Sequence, residues 1–376
     1  MLCSQELELF DLENNDTLAF LNALINVSNG YGTIHKYLAP IICLVGSVVN
    51  CVHLAVLTRP VMRKCAVNRL LSLMVVCDIT TMVSYIIFMI RFGFMMDLNN
   101  PPKGYALHWI VFLLIHVVLS IAMHTITLYM SVATAFVRYK ALKEVGSKWN
   151  QSDSALPIFI VITIFVTALC IPTFLVHEIV HVDNGNGTGD LYMVELSELS
   201  RGNTCFVFKA NLWLTGIVFK VIPCLMLFIF TIALLSELDL NRRRRRRLTS
   251  GASMASKRIS KKTDRTTLML IVLMTIFIVT EFPQGILAIL NGLFPNDIHQ
   301  FVYLSLGEIL DLLSLINCNA SFVVYSIMSS VYRTTLRNLI DRTYNGLSLF
   351  SSRSMTKSVI AEMTQLKFVD ETDILL

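Results

Sequence analysis

Seven stretches of this chain are too long and too apolar for the interior helices of a soluble domain. They run at about Tyr37–Leu57, Leu70–Ile90, Trp109–Phe136, Ala155–Val176, Leu212–Leu235, Leu268–Leu290 and Phe301–Met328. About 20 mainly apolar residues are needed to cross the hydrocarbon of a bilayer. No water is available there for backbone N–H and C=O groups, so each crossing must be a helix. Composition agrees, since 55% of residues are apolar and 15% charged, whereas a soluble domain carries about a quarter charged. The expected fold is an all-α membrane protein, a seven-transmembrane helix bundle over 37–330.

The flanks read differently. Glu6, Glu8, Asp11, Glu13 and Asp16 mark 1–36 as an acidic, largely disordered segment. It lacks the basic flank and apolar core of a cleaved signal peptide, so the first span is expected to insert as its own signal. After the seventh span, Val331, Tyr332, Leu336, Leu339 and Ile340 recur at helical spacing between Arg333, Arg337 and Arg342. That predicts a short amphipathic helix over 331–344 on the membrane surface, and 345–376 is a tail containing several Ser and Thr.

Basic residues set the orientation. With the amino terminus outside, all but six of the 31 Lys and Arg fall in cytoplasmic segments, the exceptions being Lys36, Arg91, Lys103, Arg201, Lys209 and Lys220. The expected placement is multi-pass with the amino terminus extracellular. The Arg242–Arg247 run is then a cytoplasmic loop feature, and the net charge of +5 describes topology, not nucleic-acid binding. The sequons at Asn15, Asn26 and Asn186 fall in outer segments where glycosylation can occur, unlike those at Asn150 and Asn319.

Ionisable groups inside spans are costly and mark function by default. Asp78 lies in the second span, His116 and His124 in the third, Lys220 in the fifth, Glu281 in the sixth, and Glu308 and Asp311 in the seventh. Glu308 and Asp311 are three residues apart and are expected to share a face open to an outward pocket, with Arg91 able to pair with one of them. Two readings of Lys220 and Glu281 stay open: ligand contacts, or a pair that satisfies itself with His124 nearby. Pro283, two residues after Glu281, predicts a kink.

One motif points to different chemistry. His177-Glu178-Ile179-Val180-His181 matches His-Glu-x-x-His, which on a helix places two zinc ligands on one face, with Glu195 or Glu198 as a third. It falls where a span ends and a flexible outer loop begins, with no separate domain to form a cleft. An enzyme and a resident metal are therefore not expected. A transporter or channel is also disfavoured, because no inverted repeat is visible.

Ordered motifs carry a resemblance. Gly46-Ser-Val-Val-Asn50, Leu73-Met-Val-Val-Cys-Asp78, Val137-Arg138-Tyr139, Pro223, Phe277-Ile-Val-Thr-Glu-Phe-Pro283 and Ser321-Phe-Val-Val-Tyr325 stand in every span but the fourth. Over about Lys36 to Ile340 the chain resembles rhodopsin-type G-protein-coupled receptors. Within them, Thr280-Glu-Phe-Pro-Gln-Gly285 is similar to the FMRFamide and myosuppressin-type neuropeptide receptors of invertebrates and to the serpentine W class of nematode chemoreceptors.

The resemblance implies roles. Arg138, with Tyr139 and Tyr325, would couple to a heterotrimeric G protein. Asn50, Asp78, Thr127, Asn317 and Ser321 would form a polar network able to hold an allosteric sodium ion, no other cofactor being implied. Arrestin and receptor kinases would be further partners, and the plasma membrane the location. Val137 replaces the acid that usually restrains the arginine, with Asp264 as a substitute. Leu113 stands where a cysteine is usual, and Cys205 is then expected to pair with Cys3 in the oxidising outer compartment. The implied ligand is an extracellular amidated peptide ending in Arg-Phe or similar. Its arginine would meet Glu308 and Asp311, and its aromatic end would meet His124, Phe282 and Glu281, within a site that also includes Arg91, His116 and Lys220. The alternative is a small environmental chemical.

Overall fold

A computed structural model describes residues 8–96, 103–144, 149, 151–182, 190–202, 205–248 and 254–345, with side chains not described over 245–248 and 254–263. Seven helices in it are long and apolar enough to cross a membrane, and they form the expected bundle. In chain order these are α1 (Asn15–Leu57), α2 (Ala66–Phe88), α3 (Leu107–Lys143) and α4 (Ala155–Leu169, followed by Ile171–Leu175). Next come α5 (Phe206–Trp213, then Leu214–Val221 and Ile222–Leu248), α6 (Met254–Leu293) and α7 (Leu304–Met328).

Three turns of these helices are π-helical: Met89–Phe94 ending α2, Leu214–Val221 within α5, and Ile298–Tyr303 leading into α7. An extra residue per turn rotates whatever follows relative to a regular helix, and this decides where several site residues point. α6 continues through Pro283.

The acidic amino-terminal segment departs from expectation. Its residues from Asn15 onward are helical, so α1 begins well before the apolar run. Local signals explain this. Asn14 caps the helix, its side chain accepting from the Asp16 N–H at 2.8 Å, and Asp16 lies in the first turn, where the helix dipole favours a carboxylate. Leu21 is buried at 3% exposure, so this extension packs. Just before it, the backbone N–H groups of Leu9 and Phe10 donate to the Asp297 carboxylate at 2.5 and 3.1 Å.

Between α4 and α5, β1 (His177–Val182) and β2 (Leu191–Leu196) pair antiparallel with His177 opposite Leu196. The hairpin is tied to the start of α3 by two backbone hydrogen bonds between Tyr105 and Tyr192, at 2.9 and 2.8 Å. Gly104 permits that approach, because a Cβ there would lie 2.9 Å from the Tyr192 carbonyl oxygen. The glycine-rich turn, with Asn186, lies outside the described residues, as do Cys3 and the tail from 346.

Considered by itself, 330–345 is helical. Arg333, Arg337 and Arg342 are exposed along it, and Val331, Leu336 and Leu339 between them are not. Ile340, also counted on the apolar face in the sequence, is 57% exposed.

Candidate functional site

A cavity of about 430 Å3 opens among α2, α3, α5, α6 and α7, next to the hairpin. That lies in the range of small-ligand sites. Its walls are mostly apolar, and its polar groups fall into two sets.

The first set surrounds Glu281, which is fully buried. The Lys220 ammonium of α5 donates to Glu281 Oε2 at 2.5 Å. His124 Nε2 of α3 lies 2.5 Å from Oε1 and must donate, because an ionised carboxylate only accepts. Asn317 Nδ2 of α7 donates to the same Oε1 at 3.0 Å. Three helices thus converge on one α6 side chain. Lys220 reaches further, to Gln284 Oε1 at 3.3 Å, and Gln284 donates onward to Ser314 Oγ at 3.4 Å.

Two local features make this convergence possible. Gly285 has no side chain, and a Cβ there would sit 3.2 Å from Lys220 Cβ and 3.0 Å from Val221 Cγ2, so glycine lets α5 and α6 close up. Lys220 also lies within the π turn of α5, and Tyr129 of α3 donates its hydroxyl to the Val218 carbonyl in that turn at 2.7 Å. Of the two readings left open by the sequence, the self-satisfying pair describes Glu281. It is absent from the cavity surface, which Lys220 and His124 line.

The second set ends at Asp311, which lines the cavity and is exposed into it. The Tyr85 hydroxyl donates to Asp311 Oδ2 at 3.1 Å. His35 Nε2 is 2.9 Å from the same hydroxyl oxygen, and the Tyr31 hydroxyl is 3.2 Å from His35 Nδ1. With the Tyr85 proton committed to Asp311, His35 Nε2–H must donate to Tyr85, and His35 Nδ1 then accepts from Tyr31. One tautomer satisfies the whole chain, which links α1, α2 and α7. Tyr31, His35 and Tyr85 were not singled out in the sequence. The two tyrosines carry no charge, and His35 precedes the apolar run.

Other expected site residues are placed differently. Glu308 is exposed, off the cavity, with its carboxylate against Gly32 of α1, where a Cβ would lie 2.8 Å from Oε2. Three residues turn a helix by about 300°, leaving side chains about 60° apart, so α1 takes one carboxylate and the cavity the other. Arg91 pairs with neither. It lies in the π turn of α2, and its guanidinium stacks over Tyr105 at 4.8 Å and Trp109 at 5.2 Å. Phe282 is 40% exposed and does not line the cavity. His116 does line it, stacked on Phe88 at 4.9 Å with Nδ1 3.0 Å from Ser84 Oγ.

Toward the far end of the bundle, Arg138 Nε donates to Thr267 Oγ1 of α6 at 3.0 Å, which joins α3 to α6 where the usual acid is replaced by Val137. Asp264, one turn earlier on α6, accepts from Arg242 Nε of α5 at 3.3 Å. Tyr325 of α7 donates to Asn68 of α2 at 3.2 Å, and the Tyr139 ring lies 6.4 Å from Phe230.

Between the two ends, Asp78 of α2 is 8% exposed. The Cys318 carbonyl accepts from Asn50 Nδ2 at 3.2 Å. Asn50 Oδ1, Asn317 Oδ1 and Ser321 Oγ are buried without a hydrogen-bond partner among the described residues. Buried unpaired oxygens near a carboxylate suit a hard cation. Thr127 Oγ1 donates to the His124 carbonyl and keeps lone pairs to offer.

The His-Glu-x-x-His match lies on β1, not on a helix. At about 3.3 Å rise per residue, His177 and His181 stand about 13 Å apart, far beyond two ligands of one zinc ion. His177 bonds to the Thr173 carbonyl and His181 to Asp190. Among the described residues no group of three His, Cys, Asp or Glu could hold a metal. Cys205 is disulfide-bonded, and the seven other described cysteines are free.

A seven-helix bundle with a ligand-sized cavity at one end, and an arginine tying α3 to α6 at the other, is the architecture of a G-protein-coupled receptor. The profile of the family described as serpentine type 7TM GPCR chemoreceptor Srw matches residues 37–343, and the chain belongs to that family. It is also 30% identical over 352 residues to the G-protein coupled receptor dmsr-1 of Caenorhabditis elegans, across 83% of this chain and 69% of that one. It is a receptor, not an enzyme.

Proposed function

We propose that this receptor responds to an extracellular amidated peptide ending in Arg-Phe or a close relative, and passes the signal to a heterotrimeric G protein inside the cell. One observation carries the reading: Asp311, oriented by the Tyr85 hydroxyl, presents a carboxylate to a largely apolar cavity of about 430 Å3. A guanidinium is the natural partner for it through charge-assisted hydrogen bonds, and the apolar wall around His116 and Phe88 suits an aromatic side chain. Acidic residues around the same end, including Glu178, Glu195 and Glu198, would raise the encounter rate of a cation.

In this reading the hairpin end faces outside at the plasma membrane, with Asn15 and Asn26, both exposed on α1, open to glycosylation. Cys205 pairs with Cys3 there. Binding shifts the population toward a state in which the Arg138–Thr267 bond is broken, and Arg138, Tyr139 and Tyr325 then meet the G protein. Asp78, Thr127, Asn317 and Ser321 would hold a sodium ion that supplies charge compensation to Asp78. The tail would recruit receptor kinases and arrestin.

The family's description as chemoreceptors favours a second reading, a small environmental chemical in the same cavity, for which Asp311 makes an amine the first probe. A panel of Arg-Phe-amide peptides and of small amines, applied to cells carrying the receptor and a promiscuous G protein, separates the two. The proposal expects peptide responses whose potency falls roughly 10- to 100-fold in D311N, whereas silence to every peptide with a response to an amine establishes the second reading.

A further inference from the structure

We propose that the Lys220–Glu281 pair selects a neutral carboxamide over a carboxylate at the α5–α6 wall of the cavity, and so determines the chemical class of the ligand's terminus. The inference rests on the reading of the ligand as an Arg-Phe-amide peptide and specifies how the end of that peptide is recognised.

The geometry comes first. An ammonium has three N–H donors. Lys220 uses one on Glu281 at 2.5 Å and one on Gln284 at 3.3 Å. Lys220 lines the cavity, so its third N–H is available to a ligand acceptor. On its own, a buried lysine would attract a carboxylate strongly. This one already has its counter-ion: Glu281 is fully buried beneath it and is fixed from α3 and α7 by His124 and Asn317.

Charge balance then separates the two ligand ends. With His124 donating to Glu281 as its neutral Nε2–H tautomer, the Lys220–Glu281 pair is neutral, and Asp311 on the α7 wall is negative until a ligand cation arrives. The Arg-Phe-amide end of a peptide brings one positive charge into the cavity, its arginine, and this balances Asp311. The same peptide as a free acid brings an additional negative charge. The ammonium it would meet at that wall is already neutralised at 2.5 Å, and desolvating an uncompensated charge is costly. A carboxamide oxygen accepts the third Lys220 N–H without that cost. Glu281 is thus a positioning residue. It holds Lys220 in place and cancels the charge that would otherwise favour an acid.

The test uses full-length receptor in transfected cells, with a surface epitope to normalise expression, and two probes: Phe-Met-Arg-Phe-amide and the corresponding free acid. The wild type should prefer the amide by at least about 100-fold in potency. In E281Q, Lys220 loses its counter-ion, so the free acid should gain at least about tenfold relative to the amide. A loss of packing alone would weaken both probes together, so it is the ratio that decides. Should E281Q fail to reach the surface, the K220M/E281M double variant decides instead. With the donor removed, the amide should lose about tenfold in potency, and unchanged potency overturns the proposal. An amide-to-acid ratio in E281Q equal to that of the wild type overturns it as well, while leaving the peptide reading intact. If neither probe activates the wild type, the peptide reading falls and takes this proposal with it.

Discussion

Glu281 on α6 and Asp311 on α7 are carboxylates inside the same bundle, and their surroundings differ in a way that assigns them different work. Glu281 is closed off, with Lys220, His124 and Asn317 filling its acceptor sites from three other helices. Asp311 receives the Tyr85 hydroxyl and opens onto the cavity. An ionised carboxylate has about four lone-pair sites, so one of these groups is close to saturated and the other has capacity left. A charge buried in a membrane protein is therefore not evidence of ligand contact until its partners have been counted.

The comparison can be broken most forcefully at Glu281. E281A leaves an ammonium, an imidazole N–H and an amide facing an empty position, and removing one member of a buried ion pair costs about 3–5 kcal/mol. Thermal unfolding of detergent-solubilised receptor should show a clear loss of stability, accompanied by reduced surface expression. K220M/E281M removes both charges and should recover part of that loss, since an apolar replacement of a buried pair is often close to neutral while the His124 N–H and the Asn317 amide stay unpaired.

At Asp311 the expected pattern is reversed. D311N should fold and reach the surface normally while Arg-Phe-amide potency falls roughly 10- to 100-fold, the worth of a hydrogen bond to a charged group. Dose–response curves at matched surface expression measure it. Y85F removes the hydroxyl that orients Asp311 and should cost about 1 kcal/mol, or about fivefold in potency, in the same assay. E308Q should change potency by less than about twofold, as expected of a side chain off the cavity; a loss as large as that of D311N would return Glu308 to the binding site.

How far the sequence reached follows the same division. The seven helices were legible because hydrocarbon imposes length and apolarity, and the ionisable residues inside them were legible because they violate that rule. Less visible was the angle at which each side chain leaves its helix. Glu308 and Asp311 looked equivalent at a spacing of three, yet about 60° of rotation separates α1 from the cavity. Arg91 lies in a π turn that no hydrophobic pattern announces, so a face counted at 3.6 residues per turn misdirects it. Two local structures were hidden for different reasons. The acidic composition of the first residues masked the Asn14 cap, and the His-Glu-x-x-His match carried no sign that backbone pairing with β2 would draw it into a strand. The Tyr31–His35–Tyr85 relay was also hidden, because tyrosine is common in membrane helices and signals nothing until its hydroxyl partner is known.

The most direct test of an open Asp311 pairs one substitution in the peptide with one in the receptor. Phe-Met-Arg-Phe-amide and its citrulline analogue, which replaces the guanidinium by a neutral urea of nearly the same shape, are compared on wild type and on D311N. An open carboxylate predicts that the wild type prefers arginine by at least about tenfold and that D311N treats the two peptides alike. An arginine preference of the same size in D311N would show that the ligand's charge is recognised elsewhere.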